Sequence, residues 1–409
     1  MSTGHPRTLS VVTLFGVFAF GYFLSALLRA VTATLAPVFS SELGLRAGDL
    51  GLLAGAYFFG FAVLQLPLGK ALDRFGPRRT LLALMAVAVV GCVAFASADS
   101  FAALVAARVL VGAGMAASLM APLTAYRHHL SPAAQLRANS WMLMTGSLGM
   151  VASTLPVQML LPALGWRGLF WALALLLALA AGLVAVLVPR DAPGGPAAEG
   201  AAIGYLDIAR HPMFMRTAPL AFFVYGGMIA VQSLWAGPWL TRVSGWSASE
   251  AAQGLFGINL AMLLAFGAWG LVMPRLVRRG VTAMRLIAWG LPLPLLMLGL
   301  IVMLGSGAGA AHWAVWCVAC TFVSTSQPAV GAAFPAAQAG RALSAFNLVI
   351  FAGVFCIQWG LGLLIDLLRA VGWSDDAAFR CAFAAFGLCA LLAYGWFLRH
   401  RPPAVDNEP

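Results

Sequence analysis

The chain has 409 residues, of which 62% are hydrophobic and only 9% are charged, and its mean hydropathy is +0.92. Soluble domains carry about 25% charged residues, so this composition excludes a soluble globular protein. A bilayer core of about 30 Å needs about 20 apolar residues per helix, so twelve membrane helices need about 240. The hydrophobic content supplies that number, and the composition predicts an all-α membrane protein with twelve transmembrane helices.

Apolar stretches broken by glycine, proline and charge define twelve segments, which we number in chain order. Their predicted ranges are 9–38, 48–69, 79–98, 101–125, 138–163, 168–189, 217–241, 250–273, 282–305, 311–334, 342–366 and 377–398. The first apolar run is too long for a cleavable signal peptide, so we expect it to remain as a membrane helix.

A polar stretch rich in proline and glycine separates the first six segments from the last six, and its composition predicts a linker. We predict a first six-helix bundle at residues 1–189, a cytoplasmic linker at 190–213 and a second bundle at 214–409. The two halves also share a weak sequence repeat, because the stretch from Gly69 to Arg74 recurs 201 residues later as Gly270 to Arg275. Such weak repeats are typical of secondary transporters, whose bundles are related by pseudo-symmetry.

Basic residues are distributed unevenly between the two sides of the predicted membrane. When connections alternate between sides, 17 of the 24 basic residues fall on one face and five on the other. Short basic loops are retained in the cytoplasm, so both termini are predicted to be cytoplasmic. The five on the outer face are Arg46, Arg167, Arg242, Arg369 and Arg380. The net charge of +11 therefore reflects membrane topology, and we expect no nucleic-acid partner.

The connection between segments two and three carries the strongest motif, Gly69-Lys-Ala-Leu-Asp73-Arg74-Phe-Gly76-Pro77-Arg78-Arg79. It resembles the signature loop of the major facilitator superfamily, Gly-x-x-x-Asp-Arg-x-Gly-x-Arg-Arg. Segment four adds Arg108-Val-Leu-Val-Gly112-Ala-Gly114, similar to the superfamily's Arg-x-x-x-Gly-x-Gly. We expect Gly69 to allow close helix approach, and Asp73 to pair with a cation or a helix N-terminus that joins the bundles. The predicted gating or conformational residues are Gly69, Asp73, Arg74, Gly76, Arg78, Arg108 and Gly112.

The resemblance implies a monomeric transporter that moves a small molecule by alternating access, with the lipid bilayer as its other partner. Arginine supplies 23 of the 24 basic residues, as in a GC-rich genome, and this supports a bacterial inner membrane. The sequence shows no nucleophile and base pair, metal cluster or phosphate loop, so we expect no enzyme activity, cofactor or metal. Six cysteines lie in apolar runs without neighbouring histidines, and we expect them to pack.

Two arginines, Arg29 and Arg108, fall within predicted membrane segments. All 13 carboxylates lie in loops, tails or helix ends, so neither arginine has an acidic partner at its depth. A lone arginine at the bilayer centre costs about 2.5–3.5 kcal/mol on insertion scales. Water in a cavity, backbone carbonyls or an anionic substrate must therefore satisfy each of them. For Arg108 a structural or conformational role is favoured.

Arg29 belongs to a polar stripe on segment one. Tyr22, Ser25, Arg29 and Thr32 follow each other at i, i+3, i+7 and i+10, which places them on one helix face. The spacing partly resembles segment one of the organophosphate:phosphate antiporters, but Ala230 stands where those proteins have a second cavity arginine. A singly charged carboxylate, or a larger organic anion, therefore suits Arg29 better than a phosphate ester. The alternative is a structural arginine held by backbone carbonyls.

The second half repeats the same spacing in segment seven, with Tyr225, Met228, Gln232 and Trp235. Duplicated halves would place both stripes across one central site. Trp235 has an alternative position in the aromatic belt at the membrane interface. The predicted substrate-binding residues are Arg29, Tyr22, Ser25, Thr32, Tyr225, Gln232, Trp235, Asn347 and Gln358.

The sequence favours a secondary active or facilitative transporter of a small organic anion. The alternative is an exporter of hydrophobic or amphipathic compounds, which 13 Trp and 26 Phe favour. Segment five lacks the Gly-x-x-x-Gly-Pro-x-x-Gly-Gly pattern common in drug exporters of the superfamily, which opposes it. No carboxylate or histidine lies mid-segment, so a coupling proton carried by the substrate, a counter-anion and uniport all remain open.

Overall fold

The computed structural model describes residues 11–130, 132–189 and 204–400. Both chain termini and residues 190–203 of the predicted linker lie outside the described residues. Every regular element within those ranges is helical, so the predicted all-α fold class is confirmed.

The first half of the chain is built from eight helices that cover segments one to six. They are Val11–Glu42, Ala47–Val63, Gln65–Phe75, Pro77–Ala96, Phe101–Met115, Met120–His129, Pro132–Ala152 and Leu155–Leu187.

The second half begins with the short helix Tyr205–Arg210 and continues through segments seven to twelve. Its α-helices are Pro212–Leu220, Gly226–Ala230, Ala236–Arg242, Ala248–Arg278, Ala283–Gly290, Pro292–Leu304, Ala310–Cys320, Ser326–Ala332, Ala336–Ala370 and Asp375–Arg399. Two π-helical turns, Ala221–Tyr225 and Val231–Trp235, interrupt segment seven, and 3₁₀ turns at Gly305–Gly307 and Thr321–Thr325 follow segment nine and interrupt segment ten.

Nine helices in the described ranges are long and apolar enough to cross a membrane. A tenth is added when the two parts of segment two, bent by 46°, are taken as one span. Of the two remaining predicted segments, ten is interrupted by the 3₁₀ turn Thr321–Thr325, and five contributes the shorter apolar stretch Trp141–Ala152 within the helix Pro132–Ala152. The chain is therefore a multi-pass membrane protein, and the count of twelve stays a prediction.

The boundary between segments five and six lies where it was predicted. We placed a helix end near residue 163 and a new start near 168, and the backbone leaves helical geometry between them at Gly165, where φ is 60° and ψ is 173°, so two helices meet at a kink within Leu155–Leu187. A further break, at Ser153 and Thr154, interrupts segment five itself. Pro156 follows directly, and proline favours the first turn of a helix because it has no N–H to donate there.

The two halves pack against each other mainly along three pairs of segments: one against seven, two against eleven and five against eight. Segments two and eleven approach so closely that a Cβ atom on Gly51 would lie 2.3 Å from the carbonyl oxygen of Gln358. The centre of the bundle is therefore bounded by segments one and seven, which carry the predicted polar stripes.

Candidate functional site

Arg108 is completely buried and all its donor nitrogens have partners. Its Nη1 donates to the carbonyl oxygen of Leu28 at 3.0 Å, its Nη2 to Thr32 Oγ1 at 2.9 Å, and its Nε to the carbonyl oxygen of Leu53 at 3.4 Å. The guanidinium also lies over the ring of Tyr57, 5.2 Å from its centre. Arg108 therefore joins segments one, two and four, and these contacts offset the cost of burying its charge.

Arg29 has a contrasting environment. It is half-buried, its Nε is buried without a hydrogen-bond partner, and no hydrogen bond or ion pair to Arg29 is found in the part of the chain that the structure describes. Its guanidinium is within electrostatic reach of the phenols of Tyr57 on segment two and Tyr225 on segment seven. Arg29 thus lies where the two halves meet, beside phenol groups and without a carboxylate.

The other members of the segment-one stripe are engaged in the protein interior. Ser25 Oγ lies 3.3 Å from Tyr57 Oη, and Tyr57 Oη also donates to the carbonyl oxygen of Ser25 at 3.2 Å. Thr32 accepts the hydrogen bond from Arg108. The ring of Tyr22 packs against Gly146 of segment five, where an added Cβ would lie 2.6 Å away. These contacts hold the helix face around Arg29.

The segment-seven stripe does not share one face as its spacing predicted. Tyr225 is within electrostatic reach of Tyr22 and Arg29, whereas Gln232 Nε2 donates to Asn259 Oδ1 on segment eight at 2.9 Å. Trp235 contacts a third segment: its Nε1 donates to the backbone carbonyl oxygen of Gln358 in segment eleven at 3.1 Å. The two π-helical turns contain these residues and change the angle between successive side chains, which an α-helical spacing rule does not anticipate.

Trp235 is fully buried, so its alternative placement in the interfacial belt is wrong. The segment-eleven residues Asn347 and Gln358 are buried as well. Asn347 Oδ1 accepts from Gln327 Nε2 at 2.6 Å, and Gln358 Nε2 donates to Ser233 Oγ at 3.0 Å. The Oε1 atom of Gln358 is buried without a hydrogen-bond partner among the described residues.

The signature loop differs from expectation at two positions. The close approach predicted for Gly69 is wrong, because a Cβ there would meet nothing within 4 Å. The predicted pairing of Asp73 is also absent: its side chain is exposed and has no ion pair or hydrogen bond within the described ranges. Gly76 has a φ of 81° between two helices, a conformation that favours glycine. Arg74 lies over the ring of Phe75 at 5.1 Å.

Two further predicted conformational residues make direct helix contacts. Arg78 Nη2 donates to the carbonyl oxygen of Ala185 at the end of segment six. At Gly112, an added Cβ would lie 1.8 Å from the carbonyl oxygen of Tyr57. Close approach of segments two and four therefore depends on Gly112, whereas Gly69 has space around it.

A carboxylate that sequence reasoning missed joins the two halves at the opposite end of the bundle. Asp366, in segment eleven, accepts hydrogen bonds from the backbone N–H of Gly48 at 2.7 Å and of Ala47 at 3.2 Å. These residues form the first turn of the helix in segment two, whose N-terminal dipole favours a negative charge. Arg369 lies 3.8 Å from Asp366 and 2.7 Å from Asp375.

A cavity of about 330 Å³ opens at this same end, between the halves. Its walls come from segments one, two, seven, eight, eleven and twelve, and Trp235 forms part of them. Arg29 is not among its lining residues, so this cavity is separate from the surroundings of that arginine. By the arginine distribution, this end is predicted to be extracellular.

Tyr57 and Asn259 also escaped sequence reasoning, although both contact predicted site residues. Tyr57 lies mid-segment, away from the membrane interface where tyrosine is usually enriched, and that position was an available signal. The described residues contain no group of three or more His, Cys, Asp or Glu side chains able to hold a metal ion. Cys317 and Cys320 are free, buried thiols.

A family model described as Major Facilitator Superfamily matches residues 18–355. The chain belongs to this superfamily. The overall structure is similar to that of a bacterial homolog of the human lysosomal transporter Spinster, with a TM-score of 0.76, 17% identity and coverage of 98% of this chain and 100% of that one. A D-xylose-proton symporter gives a TM-score of 0.75 at 15% identity, over 96% of this chain and 98% of that one. The fold is therefore that of a superfamily transporter.

Two curated relatives match parts of the sequence. A probable sulfoacetate transporter of Cupriavidus necator is 27% identical over 157 residues, which are 38% of this chain and 36% of the relative. A chloramphenicol resistance protein of Streptomyces lividans is 34% identical over 174 residues, 40% of this chain and 43% of the relative. Each match thus spans less than half of the relative's length.

Proposed function

We propose that this superfamily member moves a small organic anion across the bacterial inner membrane by alternating access, and that Arg29 provides the positive charge that receives it. The observation that carries the proposal is the buried Nε of Arg29, which has no hydrogen-bond partner in the described chain. A buried donor on a charged group that stays unsatisfied costs more than about 1–3 kcal/mol. A ligand oxygen at this position would remove that cost.

Arg108 supports this assignment by contrast. Both arginines lie within membrane segments, but Arg108 is satisfied by two backbone carbonyls and a threonine hydroxyl. The fold therefore supplies acceptors where an arginine is structural, and within the described ranges it supplies none to Arg29. An arginine guanidinium presents N–H groups in a planar fork that matches both oxygens of a carboxylate or sulfonate.

The neighbouring residues favour an organic anion over a simple inorganic ion. The phenol groups of Tyr57 and Tyr225, one from each half, are within electrostatic reach of Arg29, and both are within reach of Tyr22. Aromatic rings provide apolar contact area, and a phenol can donate a hydrogen bond to an anion. A site formed by segments one, two and seven would also change shape when the halves rock against each other.

The relative named as a probable sulfoacetate transporter supports the anionic class, because sulfoacetate carries a carboxylate and a sulfonate. The second candidate function is export of hydrophobic or amphipathic compounds. The chloramphenicol resistance protein favours it, since chloramphenicol is uncharged. The two functions differ in one measurable property: whether Arg29 distinguishes an anion from its neutral analogue.

The decisive experiment compares purified wild type with Arg29→Gln and Arg29→Lys. Affinity is measured for a panel of organic anions and for the neutral amide of each anion that binds. We expect Arg29→Gln to weaken anion binding about 30-fold or more, as when one partner of a buried charge pair is truncated. Arg29→Lys keeps the charge without the planar fork and should weaken binding less.

The readouts separate the proposal from its alternatives. If Arg29→Gln binds the anion as tightly as wild type, or if wild type prefers the neutral amide, the organic-anion function is wrong and export of neutral compounds takes its place. If the variant loses folded yield and thermal stability but the folded fraction keeps its affinity, Arg29 is a structural arginine.

We also propose that both termini and the 190–213 linker face the cytoplasm, because 17 of 24 basic residues collect on that side. Reporter fusions after Pro409 and within the linker should both give a cytoplasmic signal. A periplasmic signal from either one would contradict the twelve-segment topology.

A further inference from the structure

The cavity between the halves contains an arginine that differs from every other basic residue on its face of the protein. Of the five arginines predicted to be extracellular, four pair with carboxylates: Arg46 with Asp49, Arg167 with Asp99, Arg369 with Asp366 and Asp375, and Arg380 with Asp376. Arg242, at the end of segment seven, has no ion pair or hydrogen bond in the described ranges. It is also one of the residues that line the cavity.

The cavity itself contains no compensating negative group. Its lining includes Arg242 and Arg369 but no aspartate or glutamate. Arg369 is already neutralised by Asp375, which lies 2.7 Å from its Nε, and its guanidinium stacks over the Phe379 ring at 5.6 Å. Arg242 is therefore the arginine of the lining for which the described residues provide no carboxylate partner.

The remaining walls are suited to a small organic molecule. Trp235, Trp246 and Phe379 contribute aromatic surface, and Ser40 contributes a hydroxyl group for which the described residues offer no hydrogen-bond partner. The volume of about 330 Å³ is at the small end of the range of ligand pockets, about 300–1,000 Å³. Its walls come from both halves of the protein, so a ligand here would lie between the two bundles, whereas a lipid headgroup would lie on the outer surface that faces the bilayer.

We propose that this cavity is a second anion-binding site, which takes a small organic monoanion with a carboxylate group from the predicted extracellular side. The carboxylate would bind Arg242 and the Ser40 hydroxyl, and the apolar part would lie against Trp235 and Phe379. One free charge in the lining matches one charge on the ligand. This site is distinct from Arg29, and its existence does not depend on the function proposed for that residue.

The test uses 4-fluorobenzoate as the probe, with 4-fluorobenzamide as its neutral analogue, and detects binding by ¹⁹F NMR. Protein is purified in detergent without phospholipid, in wild-type and Arg29→Gln backgrounds, so that binding at Arg29 is separated from binding in the cavity. Arg242→Gln is the test variant. Arg46→Gln is the matched control, because Arg46 is an exposed arginine on the same face that lies outside the cavity lining.

We expect Arg242→Gln to weaken 4-fluorobenzoate binding about tenfold in both backgrounds, which is the size of one lost charge-assisted interaction in a partly exposed site. Arg46→Gln should stay within about twofold, because it changes the overall charge equally without touching the cavity. Arg242→Lys should retain part of the affinity. No hydrogen bond or ion pair holds Arg242 in the described ranges, and Arg46 is exposed, so both glutamine variants should be monodisperse.

Three results would overturn the proposal. The first is no binding of 4-fluorobenzoate to the Arg29→Gln protein. The second is an equal loss in Arg242→Gln and Arg46→Gln, which would indicate a general surface field. The third is binding that responds to added phosphatidylglycerol and not to the carboxylate, which would assign Arg242 to lipid. An effect of Arg29→Gln alone would instead bear on the central site.

Discussion

The contact between Asp366 and the start of segment two provides a quantitative prediction about conformational change. This contact ties the two halves together at the predicted extracellular end. If the halves rock apart there, both hydrogen bonds must break. We therefore predict that Asp366→Asn shifts the population toward states that are open at this end.

The magnitude follows from the geometry. The bond from Gly48 N–H to the carboxylate is short, at 2.7 Å, and hydrogen bonds to charged groups contribute about 1.5–3 kcal/mol. The Asp366 side chain is 20% exposed, so water screens part of this energy and we use the lower end of the range. Asparagine keeps one acceptor oxygen but loses the charge that favours the helix N-terminus, a loss of about 0.3–1 kcal/mol. The expected change is about 1.4 kcal/mol, or roughly tenfold in the ratio of closed to open states.

The assay is a distance measurement by electron paramagnetic resonance between spin labels at Ser41 and Ser247, which are exposed positions in different halves near this end. The accessible native cysteines are first replaced. A tenfold shift would turn an open fraction of about 1% into about 10%, which appears as a second, longer distance. Asp375→Asn is the control, because Asp375 pairs with Arg369 and makes no hydrogen bond or ion pair with segment two in the described ranges. Identical distance distributions in wild type and Asp366→Asn would refute the reasoning, as would an equal shift in the control.

Three further predictions concern the helix contacts and the signature loop. Gly112→Ala should destabilise the protein by about 1–3 kcal/mol in thermal unfolding, because its Cβ would lie 1.8 Å from the Tyr57 carbonyl oxygen, whereas Gly69→Ala should stay within about 0.5 kcal/mol. Arg108→Gln should lower thermal stability by about 2–4 kcal/mol through its lost hydrogen bonds, and an unchanged melting temperature would contradict this. Asp73→Asn should slow transport into proteoliposomes while equilibrium binding stays within a few-fold; collapsed binding in a folded variant would contradict a gating role.

Segment one shows how far helical spacing can predict a site. The spacing of Tyr22, Ser25, Arg29 and Thr32 placed them on one face, and all four contact or approach residues of segments two, four, five or seven. Spacing could not assign a partner to each residue, because a partner depends on what the facing helices present. Thr32 therefore binds Arg108, while Arg29 has no hydrogen-bond partner among the residues that the structure describes.

Segment seven shows a second limit of helical spacing as a predictor of side-chain contacts. The sequence identified its polar residues, but Gln232 and Trp235 contact different segments because π-helical turns alter the angular register. Nothing in the local composition indicates those turns, since they are accommodated by packing against neighbouring segments. The partner of Gln232 is Asn259, and this pairing depends on the packing of segment eight beside segment seven, which the sequence does not specify.

The sequence by itself determined that this protein is a multi-pass helical membrane protein of the Major Facilitator Superfamily, because apolar length, charge asymmetry and the loop motif are local properties of the chain. Only the tertiary structure decided which buried arginine is satisfied and which carboxylate joins the halves. Asp73 stood in the motif, yet Asp366 makes the contact with a helix N-terminus, over a separation of more than 300 residues. Such pairings depend on how whole bundles pack, and a local sequence pattern contains no information about that arrangement.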